Sequence, residues 1–72
     1  MEGTEIKIPM VGKVIEVKKK VGDPVRKKEI IAYLESMKMK VPIFSTVDGV
    51  IQNLSATVGQ VLSKGHVLAV IS

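Results

Sequence analysis

VGQVLSKGHVLAVI, residues 58–71, repeats the pattern of VGDPVRKKEIIAYL, residues 21–34. Both open on Val-Gly, carry Lys at the seventh position and close on an apolar run. Extending the same offset of 37 aligns residues 6–34 with 43–71. Six pairs are then identical: Ile6/Ile43, Gly12/Gly49, Val21/Val58, Gly22/Gly59, Lys27/Lys64 and Ala32/Ala69. Apolar residues face apolar residues elsewhere, as at Val14/Ile51, Val25/Leu62, Ile31/Leu68 and Leu34/Ile71. A register that matches glycines and core positions together marks one supersecondary unit used twice.

Each half reads as short strands. The runs KVIEVKK, EIIAYLE, GVIQNLS and HVLAVIS are rich in β-branched residues and too short for useful helices, and no window sustains a 3.6-residue apolar period. The pattern predicts strands over 5–9, 12–18, 24–26, 29–35, 40–44, 49–55, 61–63 and 66–71. Eight strands in two equivalent halves make an all-β, flattened eight-stranded barrel or sandwich of two four-stranded sheets with a pseudo-two-fold axis. A length of 72 residues fits one domain, 1–72. There is no Cys and a single histidine, His66, so neither a disulfide nor a metal staples this small core, which must come from Val and Ile.

Charge narrows the function classes. The net charge of +4 gathers in VKKKVG and VRKKE, the ordinary reading of which is a solvated face. The opening MEGTEIK has no apolar signal region and no run reaches membrane-spanning length, so a cytoplasmic protein with no membrane partner is expected, monomeric as an isolated domain. A small basic β-barrel binding RNA is the alternative from another class. Such barrels stack bases on aromatic side chains, and only Tyr33 and Phe44 are present, both inside apolar runs where packing in the core is expected. No specific nucleic-acid contact is therefore expected. An enzyme lacks parts: Glu16, Asp23, Glu29, Glu35 and Asp48 form no pairing pattern, and His66 beside Gly65 is expected at the surface. No helix follows Gly22 or Gly59, so neither belongs to a phosphate loop.

The halves are joined by residues 35–42, whose midpoint falls between Lys38 and Met39. ESMKMK, residues 35–40, therefore occupies a hairpin tip. Tips normally recruit Gly, Asn, Asp or Pro, and none is present. Two methionines bracket a lysine instead. Local rules break most readily at functional sites, which makes Lys38 the candidate residue, with Met37 and Met39 beside it.

ESMKM, followed by VPIFSTVDGVI and VGQVLSKGHVLAVI, resembles the biotinyl domains of biotin-dependent carboxylases. The first half, IPMVGKVIEVKKKVGDPVRKKEIIAYLESMKM, resembles the same family, so the likeness spans essentially the whole chain. Among its relatives it looks most like small stand-alone biotin/lipoyl attachment proteins. The resemblance implies covalent biotin on Lys38, Met37 and Met39 as its flanking motif, and no catalytic or metal-binding residue. It also implies a biotin protein ligase as the modifying partner. The implied function is a carboxyl carrier between biotin carboxylase and carboxyltransferase components, with biotin's ring nitrogen taking up carboxylate at one and releasing it at the other. Lipoyl carrier domains of 2-oxo acid dehydrogenase systems share the fold; they place Asp before the lysine and a small residue after it, so lipoate is the less favoured cofactor. Two departures from the family pattern stand out. VKKKVGDPV has no room for the protruding thumb of some carrier subunits, and Lys27-Lys28 replaces the Lys-Gly kept at Lys64-Gly65. If both loops follow one path, Lys28 is held in the left-handed conformation that favours glycine.

Overall fold

The computed structural model describes residues 3–72. Its strands are β1 (Thr4–Lys7), β2 (Gly12–Val17), β3 (Pro24–Val25), β4 (Ile30–Ser36), β5 (Met39–Phe44), β6 (Gly49–Leu54), β7 (Val61–Leu62) and β8 (Val67–Ile71). The chain is all-β. Two antiparallel four-stranded sheets have the orders β1-β8-β6-β3 and β5-β4-β2-β7. Adding four to each strand of the first half converts one order into the other, as the repeat requires.

The correspondence extends to single residue pairs. Leu34↔Val41 and Tyr33↔Pro42 in one sheet match Ile71↔Thr4 and Val70↔Glu5 in the other. The break in register between Val14 and Glu16 recurs between Ile51 and Asn53. Loop hydrogen bonds repeat as well. The Gly22 amide donates to the Ile51 carbonyl, and the Gly59 amide to that of Val14. The Lys28 amide donates to Ser45, and the Gly65 amide to Ile8. This shared path has the expected consequence at its one mismatch: φ is 75° at Lys28 and 87° at Gly65.

Alternation along the strands drives the two inner faces together. Ile6, Ile8, Val14, Val25, Ile31, Leu34, Ile43, Ile51, Leu62, Leu68 and Ile71 are all buried, with Ala32 and Ala69 between them. The repeated Gly12 and Gly49 are required by close approach. A Cβ on Gly49 would sit 2.7 Å from the Ile71 side chain and 2.9 Å from the Ser72 carbonyl. One on Gly12 would sit 3.1 Å from the Glu35 carbonyl. Where the halves differ, the core adjusts. Ser45 stands where Ile8 stands in the first half and is equally buried, its hydroxyl donating to the Val47 carbonyl.

Two aromatic expectations are corrected. Phe44 ends β5 on an edge of its sheet and is 46% exposed, because the outer face of that edge has no second layer to cover it. Tyr33 is only half-buried on the outer side of β4.

Candidate functional site

β4 and β5 pair from Ile30↔Phe44 to Ser36↔Met39, which leaves Met37 and Lys38 as a two-residue loop. The turn lies one residue earlier than the midpoint of the linking segment, because Met39 joins the ladder of β5. Two-residue hairpins close best when both loop residues have positive φ, the type I′ turn, for which Asn-Gly is the usual sequence. Met37 and Lys38 have φ of 52° and 65°. A side chain with Cβ costs about 1–2 kcal/mol in that region. Three residues other than glycine occupy it among the described residues: Lys28, Met37 and Lys38.

The sheet holds this strained tip from below. Leu34 and Ser36 are buried at the end of β4, whereas Met37 is 90% and Met39 65% exposed. Neither methionine fills the core. Replacing either by Leu is expected to change folding free energy by less than about 0.5 kcal/mol in urea melts, as for other surface positions. A loss of about 2 kcal/mol would instead give that side chain a packing role.

The two lysines of the motif are in different situations. Lys40 lies 4.1 Å over the Tyr33 ring and 3.8 Å from the Glu16 carboxylate. Cross-strand register produces this arrangement, since Glu16 faces Tyr33 across β2 and β4, and Tyr33 faces Pro42 across β4 and β5. Lys38 is exposed at the apex and enters none of the ion pairs among the described residues. Its amine is presented on a convex tip. It lines neither the cleft formed by residues between Lys19 and Glu29 nor the one formed by residues between Leu54 and His66. Such a tip suits a lysine that holds a group out from the protein, with the side chain free for covalent attachment.

Other titratable residues stay apart from it. Glu29 bonds Lys19 at 2.7 Å, and this contact, with the Arg26 amide, holds its carboxyl below the usual range. No group of three His, Cys, Asp or Glu side chains converges to hold a metal among the described residues. His66 departs from its expected place at the surface, for it is half-buried and its Nε2 is buried without a hydrogen-bond partner.

A family model described as "Biotin-requiring enzyme", covering biotin and lipoyl attachment domains, matches residues 4–71. The chain belongs to the biotin/lipoyl family. This biotin/lipoyl domain is 37% identical over 68 residues to the "Biotinylated protein TB7.3 homolog" of Mycobacterium leprae, covering 94% of this chain and 96% of that one. It is 34% identical over 67 residues to the "Biotin/lipoyl attachment protein" of Bacillus subtilis, covering 93% and 92% respectively. Its fold superposes on the Kluyveromyces lactis urea carboxylase with a TM-score of 0.93 at 21% identity, over 100% of this chain and 6% of that one. A biotin/lipoyl domain is a carrier and not itself a catalyst, which agrees with the convex tip described above.

Proposed function

We propose that the chain is a biotin carboxyl carrier and that Lys38 bears the biotin. The observation that carries this reading is the lysine at the apex of a left-handed two-residue turn, exposed and outside every ion pair among the described residues. A biotin protein ligase would join biotin to Lys38 Nζ as an amide, and the positive charge of the lysine would be lost there. Once attached, biotin supplies a ring nitrogen that takes up and releases carboxylate. The partners are then the biotin carboxylase and carboxyltransferase components of a carboxylase.

The chain's own residues have limited, specific tasks. The turn keeps Lys38 clear of the sheet, and the firm base of Leu34 and Ser36 fixes where the tether starts. Tethering raises the effective concentration of the carried group at each active site. Met37 and Met39 give the attached group an apolar neighbourhood and set the motif apart from the Asp-Lys-Ala type of lipoyl domains. The intact mass of the protein purified from its native host tests the reading, because biotin, lipoate and an unmodified chain differ in mass. Biotin on the Lys38 peptide is expected. A lipoyl mass on that peptide, or biotin mapped to another lysine, overturns it.

A further inference from the structure

The third left-handed side chain does not belong to the tip. Lys28 lies at the other end of β4, six residues before Leu34, in the turn that leads into Ile30. With a rise of about 3.3 Å per residue, the length of β4 puts this turn roughly 20 Å from the hairpin that carries Lys38. The backbone there is satisfied in the same way as in the second half. The Lys28 amide bonds Ser45 and the Glu29 amide bonds Arg26, as Gly65 bonds Ile8 and His66 bonds Ser63. The turn therefore requires positive φ, and the second half meets that requirement with glycine. Lysine occupies the first-half position at a conformational cost, which its side chain must justify.

Its surroundings indicate what the side chain does. Lys19, Pro24, Arg26, Lys27, Lys28 and Glu29 line an open cleft of about 570 Å³. The one acid in that lining, Glu29, is neutralised by Lys19. Asp23 and Asp48 spend a carboxylate oxygen each on the amides of Lys20 and Lys27. Arg26, Lys27 and Lys28 enter no ion pair among the described residues. The matching second-half positions are Ser63, Lys64 and Gly65, so the concentration of charge is particular to the first half.

We propose that this basic end is a docking surface for an acidic patch of a partner protein. No aromatic side chain lines the cleft, which leaves nothing on which nucleobases would stack. An Arg followed directly by two lysines in one turn fits carboxylates spread over a protein face. Docking here leaves the far end free, so a partner can hold the domain while Lys38 remains accessible. The proposal does not depend on which group Lys38 carries.

The test titrates the domain with a decameric glutamate peptide, followed by backbone amide NMR shifts at low salt. A ten-nucleotide RNA of similar charge serves as the second arm. Peptide-induced shifts are expected to gather on residues 18–29 and to be absent from the Lys38 hairpin. Lys28→Gly should weaken the peptide two- to fivefold, about the size of one exposed ion pair, while raising the thermal midpoint, since it removes strain. Arg26→Ser should also weaken it, and Lys64→Ala should leave it unchanged. A gain in stability with a loss of binding is a result that a purely structural Lys28 would not give. Shifts spread evenly over all lysines, unchanged peptide affinity in Lys28→Gly, or tighter binding of the RNA overturns the proposal.

Discussion

Lys38→Arg should take no label when incubated with a biotin ligase, ATP and biotin, whereas Lys40→Arg should label like the parent chain. Arginine keeps the positive charge and nearly the reach of lysine, but its guanidinium does not give up a proton to become a nucleophile. The change therefore removes the attacking amine and little else from an exposed position. Lys40 is a fair control because it is two residues away, is itself exposed, and stacks on Tyr33 beside Glu16. Labelling measured by mass or by avidin blot decides between them. Label that persists in Lys38→Arg and vanishes in Lys40→Arg would move the attachment point to the second lysine.

A double change, Met37→Asn with Lys38→Gly, should stabilise the fold by about 1–2 kcal/mol and abolish loading entirely. It installs the Asn-Gly sequence that a two-residue hairpin with positive φ prefers. Lys38→Gly removes a Cβ from a region that costs it about 1–2 kcal/mol, Asn tolerates that region better than Met at position 37, and part of the relief is offset because glycine has more freedom in the unfolded chain. Urea melts give the stability and ligase labelling the loading. If the variant were less stable than the parent, the turn would have to be held by contacts of Met37 or Lys38 that their exposure does not show.

Most of the architecture was legible because of the repeat. Matching Gly22 with Gly59 and Leu34 with Ile71 aligns turns and core together, and the two sheets show that register pair by pair. Lys28 was legible for the same reason, since its partner in the alignment is Gly65. What the pattern could not resolve was which side of a strand is covered. Phe44 sits in an apolar run yet faces outward at a sheet edge, and hydrophobicity alone does not distinguish an edge strand from a central one. The tip lies one residue before the midpoint between the repeats, because such a midpoint says nothing about how far the ladder extends, and the pairing Ser36↔Met39 carries it past the expected end of β4. The placing of Lys40 against both Tyr33 and Glu16 depends on register across three strands, which the linear sequence does not display. A loop glycine before His66 points to the surface, but the fold gathers His66 with Leu54, Ser55, Ala56, Thr57 and Gln60 around one cleft, a neighbourhood the linear sequence does not show.

The strand order carries a consequence for how fast the chain can fold. Of the strand pairs in the two sheets, β4 with β5 is the one formed between neighbours in the chain; β1 must find β8, β2 must find β7, and β3 must find β6. Closing such distant pairs spends chain entropy before any of it is recovered, which places β-rich domains of this kind in the millisecond-to-second range. The single local hairpin is the natural place for the search to begin, yet its turn is built from Met37 and Lys38 in a conformation that both resist. The residue held out at the apex is thus set in the link that would otherwise start folding soonest, and an Asn-Gly turn would shorten the search as well as deepen the native well.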